Sequence, residues 1–309
     1  MTDLEKLGEK LTTEGPHKSE CTSRRIRGLL GGKFIFDTTA AKYVWEHPYY
    51  PYFYIPKSAF IKAVLEEVDP TTEKCYWLAK LSSGGKSTDR VLVFDASTGL
   101  KDLVKIEVSA LDAWFVEDEK LLGSHPKDPY KRIECISSTR EIRIEIDGVV
   151  VAKSAQNVFL YETLLRPRYY LASTAVNWEV LSESETTTFC PYKGMANYYN
   201  LTINGREIRD AVWYYQYPTA ESALIAGRLC FYNEKVDVFV NGVKEEKTNA
   251  TKATIGFPQQ IEAAGARILV SVFNPKTVNM DENCGESGEW GAESGEMALE
   301  RQCNVRTSH

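Results

Sequence analysis

Arg140-Glu141-Ile142-Arg143-Ile144-Glu145-Ile146-Asp147-Gly148-Val149-Val150-Val151-Ala152 is the stretch whose reading decides the fold. Ile142, Ile144 and Ile146 alternate with Arg143, Glu145 and Asp147, the period of a strand with one buried face. Asp147-Gly148 then separates this run from a second, β-branched one. An Asp-Gly pair tolerates the positive φ angles of a two-residue turn, so the segment reads as an antiparallel hairpin. Asn204-Gly205 repeats the signal between Leu201-Thr202-Ile203 and Arg206-Glu207-Ile208, and Asn241-Gly242 repeats it after Val236–Val240. One helical signal interrupts the strands, Pro218–Ala226, with Thr219 expected as N-cap and Gly227 as stop. Short antiparallel strands with one short helix predict a mainly β domain, a small sandwich or open barrel.

Outward from this hairpin the chain repeats itself. Arg24-Arg25-Ile26-Arg27 aligns with Arg140–Arg143, Gly32 with Gly148, Trp45-Glu46 with Tyr161-Glu162, Pro51 with Pro167 and Phe53-Tyr54 with Tyr169-Tyr170. Every pair has the same offset of 116 residues (148 − 32), without a gap from Arg24 to Tyr54. This register predicts a tandem duplication of a unit of roughly 110 residues. In the first copy the opening hairpin uses Gly31-Gly32, and Ser58–Glu67 carries a helical pattern capped by Ser58. Leu81–Asp89 reads as a flexible loop, and Leu111–Glu119 as the counterpart of Leu229–Lys235. Arg132–Cys135 reads as a last strand joining the copies, and so short a junction predicts that they pack together. The resulting divisions are an N-terminal extension (1–22), a first, divergent repeat domain (23–135) and a second repeat domain (136–244). A C-terminal extension (245–280) follows, with Arg267–Phe273 as a candidate strand, and then an acidic low-complexity tail (281–309).

At 309 residues and 43% hydrophobic, the chain can bury two cores. A formal charge of −6 argues against nucleic acid or an anionic membrane surface as partner, since both require clustered Lys and Arg. The seven cysteines (21, 75, 135, 190, 230, 284, 303) form no Cys-x-x-Cys pair and no other metal-ligand spacing. Their odd number, and an opening Met1–Lys6 without an apolar signal region, predict reduced thiols in a cytoplasmic protein. No apolar run is long enough to span a bilayer. The Asn200-Leu201-Thr202 and Asn249-Ala250-Thr251 sequons are then chance matches. The expected oligomeric state is monomer or homodimer, because a tandem duplication can itself replace a homodimer.

Several motifs of the second copy resemble a known family. Gly148–Ser154, Glu162, Arg168-Tyr169-Tyr170, Thr186-Thr187-Thr188-Phe189-Cys190-Pro191-Tyr192-Lys193-Gly194, Tyr199, Ala211–Tyr214, Pro218, Ile225–Gly227 and Phe231–Asp237 are similar to the family called domain of unknown function 427. The likeness covers nearly all of residues 140–242 and is most specific at Cys190-Pro-x-Lys-Gly194. The first copy resembles the N-terminal half of two-domain members, notably at Trp114–Glu119 and His125–Tyr130. It has no Cys-Pro-x-Lys-Gly motif; Cys75-Tyr76-Trp77 sits nearby without the Pro, Lys or Gly. What the resemblance implies is two tandem, small β-tent-like domains of antiparallel strands, each with one or two short helices and each enclosing a pocket. It also implies a site free of zinc, which the cysteine spacing matches. A nucleotidyltransferase label attached to the family finds no support in the residues. Gly123-Ser124 is not followed by the paired carboxylates that two metals require, and Gly85-Lys86-Ser87 is preceded by Lys80 where a phosphate loop needs glycine.

The chemistry expected from these residues centres on Lys193. Pro191 restricts φ and Gly194 permits positive φ, so Cys190 and Lys193 should lie on a stiff turn between strands. A lysine held there among aromatic rings loses solvation and can serve as base, imine-forming amine or cation for an anionic ligand, or else pair structurally with Glu162. Cys190 as a nucleophile would need a histidine, and only His47 or His125 of the first copy could reach across. Glu162, with its counterpart Glu46, either does acid–base work or ties a strand end. Tyr169, Tyr170, Tyr199, Trp213, Tyr215 and, from the first copy, Tyr54 are candidate pocket walls, with aromatic core as the competing reading. The expected catalytic set is Lys193, Glu162, Tyr170 and Cys190. The expected substrate-binding set is Tyr169, Tyr199, Trp213, Tyr215, Glu46 and Tyr54. The function expected is metal-free, cofactor-free acid–base chemistry on a small molecule, such as isomerisation, cyclisation or hydrolysis, in a second-domain pocket. A non-catalytic small-ligand or peptide binder and a protein-interaction scaffold are the alternatives.

Overall fold

The computed structural model describes residues 3–60, 64–68, 75–95 and 99–247. The tail of residues 281–309 and the candidate strand Arg267–Phe273 lie outside the described residues. Each repeat is built from one seven-stranded and one four-stranded antiparallel sheet. The large sheet of the first repeat runs, edge to edge, Lys18–Cys21, Lys42–Trp45, Tyr52–Pro56, Leu103–Ile106, Lys86–Phe94, Tyr76–Ser83 and Val64–Glu67. That of the second runs Ile133–Ser138, Asn157–Glu162, Arg168–Leu171, Leu229–Phe231, Arg206–Pro218, Gly194–Ile203 and Leu181–Cys190. The small sheets follow the same plan. Glu119–Lys120, Ala113–Val116, Ile26–Leu30 and Lys33–Thr38 correspond in order to Val243–Lys244, Asp237–Val240, Ile142–Ile146 and Val149–Ser154. The chain is therefore a mainly β tandem duplication of a tent-like unit.

Local chemistry explains the hairpins. Asp147-Gly148, Asn204-Gly205, Asn241-Gly242 and Gly31-Gly32 all take positive φ at both positions, as two-residue turns matched to the strand twist demand. The strand Ile142–Ile146 alternates buried and half-buried residues as expected. Its isoleucines meet Phe159, Leu171, Val212 and Phe231 of the large sheet in the core between the two sheets. The first repeat's equivalent core joins Ile26, Phe36, Tyr43, Ile55, Val93 and Trp114.

The outer face of each large sheet is also apolar and needs a cover. In the first repeat the cover is the amphipathic helix Asp3–Thr13, whose Leu4 and Leu11 are buried. Leu11 packs with Val44, Tyr54, Tyr76, Leu92 and Phe94. The stretch read as an N-terminal extension thus supplies this helix and, in Lys18–Cys21, an edge strand. In the second repeat the cover is the short 3₁₀ segment Ala220–Ile225, with Ile225 packed on Tyr170, Tyr198, Trp213 and Tyr215.

Four local expectations are corrected. Ser58–Glu67 is not a helix: Lys57–Ala59 form a 3₁₀ turn and Val64–Glu67 a strand, because pairing with Tyr76–Ser83 outweighs helical periodicity. Leu81–Asp89 is no flexible loop but the tip of the hairpin joining Tyr76–Ser83 to Lys86–Phe94, turned by Gly84-Gly85. Ala113–Val116 occupies the place of Asp237–Val240, and the counterpart of Leu229–Phe231 is Leu103–Ile106, so the 111–119 alignment was displaced by one strand. Thr219 does not cap the following turn through its side chain; its Oγ1 donates instead to the Tyr192 carbonyl at 2.5 Å.

The strand from Ile133 runs to Ser138 and belongs wholly to the second repeat, as an edge of its large sheet. The segment before it ties the repeats together. The Asp128 carboxylate accepts from Trp45 Nε1 of the first repeat at 3.0 Å, and the Asp128 N–H donates to Tyr192 Oη of the second at 2.6 Å. Lys127 pairs with Glu221 at 2.6 Å.

Candidate functional site

Strand alternation sorts the expected site residues onto two faces. Glu162, Tyr170, Trp213, Tyr215 and the Lys193 turn belong to the outer face of the second repeat's large sheet. Tyr169 and Tyr199 belong to the opposite face, in or against the core between the sheets. Tyr169 hydrogen-bonds the Glu245 carboxylate, and Tyr199 stacks on Tyr214 with ring centroids 5.1 Å apart. They cannot share a pocket with Tyr170 and Trp213, because neighbouring residues on a strand point to opposite sides.

On the outer face the expected pair does meet. Pro191-Tyr192-Lys193 turns the chain between Leu181–Cys190 and Gly194–Ile203, with Gly194 at φ 100. Lys193 Nζ donates to Glu162 Oε2, and the two side chains are 13% and 10% exposed. Trp213 Nε1 donates to Tyr170 Oη at 3.0 Å. Burial holds the phenols of Tyr170 and Tyr215 above the ordinary tyrosine range, so both remain protonated donors rather than bases. Burial also pushes the Cys230 thiol up to about 12 and raises Cys135, which makes thiolate chemistry there unfavourable. Cys190 is half-buried. Cys75, Cys135, Cys190 and Cys230 are free thiols, whereas Cys21 is disulfide-bonded, which departs from the fully reduced state expected.

The first repeat holds a counterpart that the sequence motif did not reveal. Glu46 occupies the place of Glu162, and Lys105 Nζ donates to Glu46 Oε1. Tyr54 Oη donates to the same oxygen at 3.0 Å, and the ammonium lies 3.9 Å from the Tyr52 ring centroid. The Lys105 and Glu46 side chains are 5% and 9% exposed. Burial pulls the Lys105 ammonium below its ordinary value of 10.5, with Glu46 acting in the opposite sense. The lysine arrives by another route than in the second repeat. Lys105 is opposite Tyr54 in the central strands, the position that Cys230 holds opposite Tyr170. Each repeat therefore neutralises the same buried glutamate, one from a strand and the other from a hairpin turn. The signal available in the sequence was a lone lysine inside the apolar run Leu103-Val104-Lys105-Ile106.

This first-repeat pair lies on the wall of a cavity of about 570 Å³. Leu4 and Leu7 of the N-terminal helix, Tyr52, Trp114 and Ser124 line it as well. Of the expected site residues, Glu46 alone is on this wall. Lys105 and Tyr52 are among the lining residues that the sequence did not single out, and Trp114 entered there only through the Trp114–Glu119 likeness.

Beside the pair, His47 meets Tyr50 edge-on at 4.4 Å, and His125 stacks on Tyr50 at 3.8 Å. These histidines thus pack within the first repeat and the segment that follows it. Burial lowers both from the ordinary 6.5; Glu46 favours charge on His47 while Lys10 and Lys105 oppose it, and Lys131 opposes it on His125. The unfolded chain binds these protons first, so their contribution to stability is complete above 6.5 and is lost as pH falls through the native values. Urea midpoints are expected to fall between about pH 7.5 and 5, and His125→Phe should flatten that slope. Equal slopes in both proteins would remove His125 from the account.

Among the described residues no group of three or more His, Cys, Asp or Glu side chains is placed to hold a metal ion. No helix among them is long and apolar enough to cross a membrane. Comparison with curated proteins finds no similar sequence. A family model does match, over most of both repeats and with one match to each. The chain belongs to the family described as Domain of unknown function (DUF427), matched at residues 18–116 and 134–242.

Proposed function

We propose that the protein is a cofactor-independent acid–base enzyme acting on a small organic metabolite in the first-repeat cavity. The observation that carries this reading is the buried Glu46–Lys105 pair on the wall of a cavity of metabolite size. A lysine whose charge is disfavoured by burial can take a proton from a substrate, and the ammonium so formed can return it, directly or by way of Glu46. Tyr54 holds Glu46 in place as a protonated donor, since burial keeps its phenol far above the ordinary range. Isomerisation, cyclisation and hydrolysis all fit such a pair, because positioned acid–base groups supply on the order of 10²–10⁴ in rate without a cofactor. The Glu162–Lys193 pair offers the same chemistry in the second repeat.

The setting we infer is cytoplasmic, with a small molecule rather than nucleic acid or membrane as partner and a monomer or homodimer as the working form. Four free thiols favour a reducing compartment, with the Cys21 disulfide standing against it, and the net charge of −6 disfavours nucleic acid and anionic membrane.

Incubation with a small-metabolite extract, followed by mass spectrometry, tests the reading. Wild type is expected to deplete a compound that Glu46→Gln/Lys105→Met leaves untouched, while Glu162→Gln/Lys193→Met retains turnover. Loss of turnover only in the second-repeat variant would move the chemistry to Lys193. Retention of a compound by wild type, without change to it, would establish binding without catalysis; the mutual neutralisation of Glu46 and Lys105 favours this second reading.

A further inference from the structure

We propose that the helix Asp3–Thr13 is a lid: it undocks as a unit from the first repeat's large sheet, and this opening admits solvent and ligand to the Glu46–Lys105 pair. The lid concerns access to the pair, and it holds whether or not the pair does chemistry.

The helix is helical because it is docked. At 11 residues it is at the margin of stability in water, and Gly8 in its middle lowers its intrinsic stability further. Among the described residues no backbone–backbone hydrogen bond joins it to a strand. Its seat is made by Leu4 and Leu11, both buried, and by Gly8, where a Cβ would lie 2.5 Å from the Tyr76 ring. Two polar tethers sit at its ends. Arg90 donates to Asp3 Oδ1 at 3.1 Å, and Lys10 Nζ donates to the Glu46 carbonyl at 3.3 Å. Asp3 and Lys10 are exposed, and exposed pairs of this kind hold weakly.

Opening strands no buried charge. When Asp3 lets go, Arg90 keeps Glu107, whose Oε2 it meets at 2.8 Å. When Lys10 leaves the Glu46 carbonyl, the Glu46 carboxylate keeps Lys105 and Tyr54. The cost of undocking is therefore that of exposing a few leucines and the face beneath them, which makes the helix the part of the repeat expected to open first.

What the helix covers is the pair. Leu4 and Leu7 wall the same cavity as Glu46, Lys105 and Tyr52, and Leu7 packs with Tyr52 on the outer-face cluster. The second repeat's cover is of another kind: Ala220–Ile225 runs between the strands Arg206–Pro218 and Leu229–Phe231 and is anchored at both ends. The helix lies ahead of residue 18, where the first family match begins, so the lid is added to the repeated unit rather than part of it.

The test uses the full chain, with hydrogen exchange read peptide by peptide and trace acetic anhydride reporting access to lysines. Wild-type amides of residues 5–13 are expected to exchange at least about a hundredfold faster than those of Lys86–Phe94 and Leu103–Ile106. Leu11→Ala should speed both helix exchange and Lys105 acetylation at least about tenfold, with Lys193 acetylation and central-strand exchange unchanged. Asp3→Asn should speed both roughly twofold to fivefold. Gly8→Ala should speed them too, although alanine is the better helix former, because its methyl obstructs the seat on Tyr76. Helix amides that exchange no faster than the central strands would overturn the lid, as would Lys105 acetylation that stays constant while helix exchange rises. Faster acetylation of Lys105 without turnover of any metabolite would leave the lid standing and remove the enzyme reading.

Discussion

Lys105→Met is expected to lower the unfolding free energy by roughly 3–5 kcal/mol, because it leaves the Glu46 carboxylate buried without its cation. Tyr54 Oη would still donate to Glu46, but one neutral hydrogen bond does not replace an ammonium. Glu46→Gln should cost less, since an uncharged amide remains able to accept from both Lys105 and Tyr54. The double variant Glu46→Gln/Lys105→Met is expected to recover much of the loss, because no charge is then left unpaired. Urea denaturation of the four proteins forms a cycle whose coupling measures the pair directly. Additive effects of the two single substitutions would mean that the groups do not interact. The same cycle makes the activity test readable, since the variant that lacks both charges is the one expected to stay folded.

Gly84→Ala should be about as damaging, for a reason of backbone rather than charge. Gly84 has φ 56, and a Cβ there would lie 2.0 Å from the Gly31 carbonyl oxygen. Gly31, at φ 59, is packed reciprocally against Ser83 and Gly84. Two hairpin turns, one from each sheet of the first repeat, meet backbone to backbone at this point. Neither can yield without shifting the strands it joins, so a loss above about 3 kcal/mol is expected. Gly85→Ala is the internal control. It has φ 79 but meets nothing within 4 Å, and should cost only about 1 kcal/mol for the left-handed conformation. Equal melting temperatures for the two variants would show that the turns do not touch in solution.

The two repeats also illustrate which parts of a site survive duplication. Glu46 and Glu162 keep the 116-residue register, and so do Tyr54 and Tyr170. Their lysines do not. In the second repeat the cation arrives on the Cys190–Gly194 turn, and in the first it stands where the second has Cys230. A buried carboxylate constrains its neighbourhood to supply one positive charge, and it leaves open which strand supplies it. Comparison by motif alone therefore made the first repeat look incomplete, although its pair is the more deeply buried of the two.

What the sequence by itself determined was everything governed by neighbours a few residues apart. Alternation at Ile142–Ile146 and the Asp147-Gly148, Asn204-Gly205 and Asn241-Gly242 turns are local physics, and strands and turns followed from them. The duplication was legible too, because a shared register is a property of the linear chain. Ser58–Glu67 shows where that reach ends: its helical periodicity is real, but hydrogen bonds to Tyr76–Ser83 decided for a strand. Only the tertiary structure could separate Tyr169 from Tyr170, since the face that each side chain takes depends on the sheet that its strand joins. It alone brought Lys105 to Glu46 across 59 residues, placed the N-terminal helix over the outer face of the first repeat's large sheet, and left a cavity beneath it. These are choices of partner, made by charge neutralisation and burial between distant segments, and no window along the chain contains both members of the pair.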